Sequence, residues 1–341
     1  MEIKNSIFEE EKEEFLWDKN ALKEFKKLIG DVGIKCRMDD IFLLGFLRAR
    51  KFDLQSSLQL LTKYYNTRAN YPQYFKNLLP SKLQNVLDMN ILQFLPKPDQ
   101  NGRYIYIFRF GNWDPSIASA TDLWRVVPIV FDLQMNFHRT QKKKIVFIID
   151  GAGLTLSHFQ YLSPSVVNGI ATLVAKDTHP IRYKTGHYVN LNIIFKAFTS
   201  IILPLVSDDF KKRLYFHSDM KTLHEFISPD CLPLEYGGKL PSFDPTESNN
   251  MLKANEEFFR RNEEYVKLYE KERNNNVSNG VSKYINEDIE DEKTKQYIER
   301  AEEIFQRHSE DPEAFLSCMK KEFKFKIFFF RVRIQLISTL G

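Results

Sequence analysis

Residues 187–218 read HYVNLNIIFKAFTSIILPLVSDDFKKRLYFHS, and their reading decides the fold. HYVNLNI (187–193) has the β-branched and aromatic content of a strand, and RLYFHS (213–218) closes the stretch as another. Between them, 194–206 reads as helix. Strand, crossover and strand predict an α/β layer with a largely parallel sheet. The segment 191–206 is apolar at 191, 193, 194, 195, 197, 198, 201, 202, 203, 205 and 206, which covers every face of a helix. It is therefore either a buried core helix or a lid over an apolar cavity, with Lys211-Lys212-Arg213 as a basic edge. A membrane span needs about 20 apolar residues. This run is shorter and is interrupted by Asn192, Lys196 and Pro204.

Working outward, RYIYIFRF (103–110) and KKIVFIID (143–150) read as further strands, with helices over roughly 119–139 and 163–176. LPLEYGG, with Pro233 and Gly237-Gly238, closes this unit near residue 240. Before it, helical spacing over 8–30 stops at Gly30, and Asp39-Asp40 open a second helix at the end the dipole favours. A third helix spans 53–70, with Asp53 as N-cap and Tyr71-Pro72 as its stop. The predicted organisation is a helical bundle over 8–76, an α/β unit over 81–245 and a charged, partly helical or flexible tail over 246–341. Within the tail, 247–273 reads as a charged helix, NNNVSNG (274–280) as a flexible break and 286–313 as helical in part. KKEFKFKIFFFRVRIQLISTL (320–340) alternates basic and apolar residues as a frayed or membrane-touching end.

The 341 residues are 43% hydrophobic and 28% charged, the balance of a soluble globular protein, and 29 Phe and 15 Tyr suit a large core or an apolar cavity. A net charge of +4 is too small to imply nucleic acid. Three scattered cysteines, Cys36, Cys231 and Cys318, argue against a disulfide framework or a metal site and fit a reducing compartment. The acidic start lacks a signal-peptide core, so the expected location is the cytoplasm, with reversible attachment to membranes. No nucleophile, zinc or phosphate-loop signature occurs, so neither catalytic residues nor a metal or other cofactor is expected. DGAG (150–153) lacks the full dinucleotide spacing and reads as a turn. His158 and His179 flank the apolar helix, where a core or surface role is more frequent than a pocket role. Arg182 and Lys184 precede the 187–193 strand and Lys211, Lys212 and Arg213 follow the helix, so the two clusters can meet and hold a phosphate.

FLLGFLRARKFDLQSSLQLL (42–61) resembles the N-terminal helical signature of the CRAL-TRIO family of lipid-transfer proteins. GRYIYIFRFGNWDP, FIIDGAGLTLSH, LSPS, HYVNLNIIFKAF and CLPLEYGGKL resemble its lipid-binding domain in the right order, over roughly 10–245. The likeness is nearest to the branch of the alpha-tocopherol transfer protein and the cellular retinaldehyde-binding protein. It implies a deep apolar cavity gated by a helix at about 190–207. Cavity positions implied in this way are Trp124, Phe131, Ile149, Leu162, Ile170, Leu173, Val174 and Ile181, with Ile194 and Phe198 from the gate. Phosphoinositide headgroup positions fall on Arg50, Arg182, Lys184 and Arg213; one basic family position is Asp209, which Lys211 and Lys212 can compensate. The resulting expectation is a non-enzymatic carrier of a small hydrophobic lipid, tocopherol- or retinoid-like, that delivers it at phosphoinositide-containing membranes. The alternative is a phosphoinositide-reading adaptor with little cargo transfer.

Overall fold

The computed structural model describes residues 4, 18–159, 161, 163, 166, 169, 172–173, 178–192, 194–195, 199, 203, 208–278, 296, 299, 303, 307, 311, 314 and 317. Most of the predicted helices 163–176 and 194–206, most of 286–313 and all of 320–340 lie outside these residues.

Helix α1 (Lys19–Asp31) starts at Asp18, whose carboxylate accepts from the backbone N–H of Asn20 and Ala21 at 2.9 and 3.0 Å. Helix α2 (Asp40–Ala49) follows, then α3 (Leu54–Asn70), where Asp53 accepts from Ser56 N–H at 2.7 Å. Each cap satisfies an otherwise orphaned amide. Phe42, Phe46 and Tyr64 interlock edge to face, with centroids 5.0 Å (Phe42–Phe46) and 5.6 Å (Phe46–Tyr64) apart. Two short helices, α4 (Pro72–Phe75) and α5 (Gln84–Asp88), lead out of the bundle.

Among the described residues the α/β unit holds five strands in the order β1-β2-β3-β4-β5. They are β1 (Leu92–Phe94), β2 (Tyr104–Arg109), β3 (Ile145–Asp150), β4 (Tyr183–Val189) and β5 (Leu214–Phe216). Only β1 runs antiparallel to its neighbour; β2, β3, β4 and β5 are parallel. Helices α6 (Ala120–Gln134) and α7 (His138–Lys143) fill the expected crossover, but as two helices, because Phe137 turns extended between them. Strand β4 starts four residues earlier than 187 and ends at Val189, so Lys184 lies inside it. Its early start is fixed by Tyr183, which pairs with Ile145 and packs its ring on Phe147 at 5.7 Å.

Two further helices, α8 (Leu156–Phe159) and α9 (Asp208–Lys211), flank β4, and α10 (Met220–His224) follows β5. After the α/β unit, the predicted charged helix is two: α11 (Thr246–Ala254) and α12 (Glu256–Ser278). The expected break at NNNVSNG is overturned for 274–278, which remain helical. The cause is tertiary. Tyr269 stacks on Tyr65 at 5.0 Å and donates its hydroxyl to Asn66 at 2.8 Å, and Arg273 donates to Asn70 at 3.0 Å. These contacts pin the last turns to α3 and override the weak helix propensity of asparagine.

The bundle is tied to α6 by a buried ion pair between Arg68 and Asp132, whose carboxylate also accepts the Tyr64 hydroxyl at 3.0 Å. Removing one partner of such a pair costs about 3–5 kcal/mol, because the other charge stays buried. The bundle therefore acts as a rigid support for α6 and for what α6 presents to the sheet.

Candidate functional site

Alternation along the strands gives the sheet two unlike faces. Tyr104, Tyr106 and Phe108 of β2, and Ile145, Phe147 and Ile149 of β3, belong to the apolar cluster that includes α6. Trp124 and Phe131 lie seven residues apart on α6, two turns along one helical face. Trp124 stacks on Phe108 at 5.3 Å and lies 5.3 Å from Phe110. Phe131 meets Tyr106 at 6.0 Å, His179 at 4.8 Å and Tyr183 at 6.1 Å. Tyr188 continues the wall through Phe216 at 4.6 Å and Phe195 at 5.8 Å. Of the implied cavity residues, Trp124, Phe131, Ile149, Leu173, Ile181 and Ile194 all fall in this one cluster. Leu162, Ile170, Val174 and Phe198 lie outside the described residues. Tyr106, Phe108, Tyr188 and Phe195 belong to the same wall and were not singled out from sequence; for the first two, strand alternation in RYIYIFRF carried the signal.

The chain is anchored where it leaves β4, at the start of the segment expected to form a gate. Asn190 takes a left-handed φ of 52° and donates its amide to Asp150 at 2.7 Å. Asp150 also accepts the Tyr236 hydroxyl at 2.9 Å, and Arg109 donates to that hydroxyl at 3.1 Å. Thus DGAG and LPLEYGG meet as a latch, which explains both motifs without a nucleotide. Asn192 caps the next helical turn by accepting from Phe195 N–H at 2.7 Å and donates to the carbonyls of Gly151 and Leu154. Gly151 is required there: a Cβ would stand 2.2 Å from the Phe195 ring.

His158 is structural. Its Nδ1 accepts from Thr155 N–H at 3.0 Å, which leaves Nε2–H to donate to the Trp113 carbonyl at 2.9 Å. His179 does face the aromatic wall, with Nε2 2.9 Å from the Tyr183 hydroxyl. Among the described residues no His, Cys, Asp and Glu side chains group as a metal site.

The cations converge by topology. Lys144 immediately precedes β3, Arg182 precedes β4 and Arg213 precedes β5. Parallel strands start at one sheet edge, so these positions meet although they are far apart in sequence. Arg182 donates to the Gln141 carbonyl at 2.6 Å, and Arg213 donates to the Tyr183 carbonyl at 2.7 Å. Lys144 has its pKa lowered first by burial and then by Arg182, Lys184, Arg213 and Lys51. Burial also lowers Arg182. Lys144 holds φ 69° and ψ 177°, a region otherwise nearly reserved for glycine and costing about 1–3 kcal/mol.

Lys144 and Lys51 were missed from sequence; the signal was the KKK run at 142–144 just before a strand parallel to its neighbour. Arg50 is the C-cap of α2, beside Lys51. Lys211 and Lys212 pair instead with Asp208 and Asp209, at 3.0 and 3.2 Å. Both pairs are at the surface, where such contacts contribute little.

Residues 88–238 match the CRAL/TRIO domain. The likeness is to that domain, over those residues. It is 37% identical over 223 residues to the alpha-tocopherol transfer protein-like protein of Mus musculus, covering 65% of each chain. The corresponding Homo sapiens protein is 36% identical over 223 residues, again 65% of each. Clavesin-1 of Xenopus laevis is 33% identical over 217 residues, 63% of this chain and 65% of that one. The matched segment thus spans just under two thirds of these relatives' length. The crystal structure of Sfh5 superposes over 68% of this chain and 92% of that one at 16% identity and a TM-score of 0.40, too loose a likeness to bear on the argument. Among the described residues no helix is long and apolar enough to cross a membrane.

Proposed function

We propose that this chain belongs to the CRAL/TRIO family and is a non-enzymatic carrier. It holds a small hydrophobic lipid against the aromatic wall that the sheet and α6 form together, and releases it at membranes containing phosphoinositides. The observation that carries the reading is the pairing of an aromatic wall with a separate edge of converging cations, Lys51, Lys144, Arg182, Lys184 and Arg213. Burying about 400 Å² of apolar ligand surface contributes on the order of 10 kcal/mol before binding costs, enough to extract a lipid from a bilayer. Release then needs a second interaction. Cations near an anionic leaflet add about 1 kcal/mol each, and an apolar gate that opens onto the bilayer is stabilised by it. The name of one group of relatives, alpha-tocopherol transfer protein-like, supports transfer of a tocopherol-like molecule.

The test has two arms. Organic extract of the purified full chain is analysed by mass spectrometry, and the protein is co-sedimented with liposomes with and without phosphatidylinositol bisphosphate. The carrier reading expects bound lipid and headgroup-dependent sedimentation. Sedimentation with no bound lipid would favour an adaptor instead.

A further inference from the structure

Lys144 stands where a lysine is unfavourable twice over. Its φ of 69° strains any side chain, and its charge neighbours are Arg182, Lys184, Arg213 and Lys51. Backbone pairing fixes this company. Ile145 N–H donates to the Arg182 carbonyl at 3.0 Å, and Gly186 N–H donates to the Arg213 carbonyl at 2.9 Å. The β3–β4 register slips between Ile145 and Val146, which pair with Tyr183 and Thr185, so Lys184 is the extra residue of a bulge beside Lys144. Lys51 arrives from the turn after α2 and is itself left-handed, at φ 53°.

Among the described residues, neither Lys144 nor any of these four neighbours pairs with a carboxylate. Arg182 and Arg213 donate instead to the backbone carbonyls of Gln141 and Tyr183, which hold each guanidinium in place. Burial, followed by the four cations, lowers the Lys144 pKa and so raises the share of its uncharged, nucleophilic form. A change that turned Lys144 itself into an anion would be stabilised by the same neighbours that repel it as a cation. Acetylation does not do this, because an acetylated lysine is neutral and leaves the four cations unmatched. Addition of carbon dioxide to the amine does.

We propose that Lys144 is a modification site at which its uncharged amine combines with carbon dioxide to form a carbamate. An N–C bond forms to the carbon of carbon dioxide, one C–O π pair moves onto oxygen, and one proton leaves the nitrogen for solvent. Nothing is oxidised or reduced. Arg182 and Arg213 hold the carbamate oxygens by charge-assisted hydrogen bonds, with Lys51 and Lys184 alongside. The change reverses the sign of the charge at the centre of the cation edge, so a phosphorylated headgroup meets an anion in place of a cation. The modification itself is independent of the carrier reading. Only this consequence rests on the proposed contact with phosphoinositide membranes.

The full chain is equilibrated, at constant pH and ionic strength, with or without isotopically labelled carbon dioxide and hydrogencarbonate, and carbamates are trapped as ethyl esters with triethyloxonium. Peptide mass spectrometry is expected to find the labelled ester on Lys144 at roughly 10-fold its level on the exposed Lys253 and Lys271, the ratio that one charge-assisted hydrogen bond supplies. Lys51→Gln with Lys184→Gln changes two exposed side chains, leaves Lys144 in place and should lower its label severalfold. Label no higher on Lys144 than on Lys253 and Lys271, or unchanged in the double variant, overturns the inference. Co-sedimentation with phosphatidylcholine vesicles carrying phosphatidylinositol bisphosphate reads the consequence. Wild type should bind severalfold less with carbon dioxide than without it, whereas Lys144→Arg should bind equally in both. If Lys144 is labelled but sedimentation ignores carbon dioxide, the modification stands and the membrane role of this edge falls.

Discussion

The two faces of one sheet are built from different side chains. The face towards α6 is aromatic, with Tyr106, Phe108, Phe147, Tyr183 and Tyr188, and it leaves donors unpaired. The opposite face is mostly aliphatic: Ile105, Ile107, Val146, Ile148 and Val189 pack beneath Leu223, Ile227, Leu232 and Tyr236. Some of its buried polar groups are matched, but the side-chain amide of Gln93, opposite Ile107, is buried with no partner among the described residues. His187 Nδ1 lies 2.9 Å from His217 Nε2, and His217 Nδ1 lies 3.0 Å from the Thr222 hydroxyl. β-Branched residues packed against a closed layer make a stiff, filled core. Large rings make a wall suited to an apolar ligand. The same strands thus supply a closed core on one side and the proposed ligand wall on the other.

The sharpest test uses adjacent residues of β3. Ile148 points into the closed face and Ile149 into the aromatic one. Ile148→Ala should cost about 2–5 kcal/mol in urea unfolding, the range for a buried large-to-small change. Ile149→Ala should cost less and should change lipid retention. If both lose the same stability and neither changes retention, the two faces are equivalent and the comparison fails.

A pH titration tests the closed face separately. Burial, followed by His217 and Arg103, holds His187 down to about 3, and burial holds His217 down to about 4. Each imidazole is neutral in the fold but has a pKa of about 6.5 in the unfolded chain. The unfolded chain therefore binds more protons below that value. Stability is full above about pH 6.5 and falls as pH drops towards about 4, by about 2 kcal/mol per histidine at pH 5. His138, also held down to about 4 by burial, Arg48 and Lys142, adds to the loss. His217→Gln should make the dependence shallower; a slope equal to that of wild type would mean that the pair does not titrate in this way.

The latch between the faces offers a smaller change. Tyr236→Phe removes the hydroxyl that Asp150 accepts and that Arg109 donates to. A loss of about 1–3 kcal/mol is expected from thermal melting, with faster exchange of probe lipid because Asn190 shares Asp150. Unchanged exchange in the destabilised variant would separate the latch from the gate.

Local chemistry made much of the fold legible. Asp53 and Tyr71-Pro72 mark the limits of α3, and alternation located β2 and β3 to within a residue or two. The three-residue β1 was not readable, because LQF (92–94) is too short to show a period. The helical turn at 274–278 was misread because its cause, Tyr269 and Arg273 on α3, is tertiary. The apolar wall was found through the resemblance, while its polar exceptions were not. Alternation shows that Tyr106 and Phe108 share a face but not that the hydroxyl lacks a partner. The basic edge was half found: PIRYK and KKR were visible as clusters, but the meeting with Lys144 follows from strand order.

Lys144 gives the last and smallest effect, and it moves two quantities in opposite directions. Its φ of 69° is strained for any side chain, and its neighbours in charge are four cations. Replacing it by glycine relieves about 1–3 kcal/mol of strain, partly offset by about 0.4–1 kcal/mol of extra unfolded-state entropy. Lys144→Gly should therefore raise stability by about 1 kcal/mol in urea unfolding. It should also weaken sedimentation on liposomes containing phosphatidylinositol bisphosphate by about 1 kcal/mol, roughly fivefold, with the difference shrinking as salt rises. Lipid retention in solution should not change, since the aromatic wall lies apart from the sheet edge. A variant that gains stability and binds these liposomes like wild type would leave the strain without a function and would remove Lys144 from the membrane-facing edge. A variant that loses stability would mean that the lysine side chain supports the fold, and that the division between a stable core and a functional margin does not extend to this corner of the sheet.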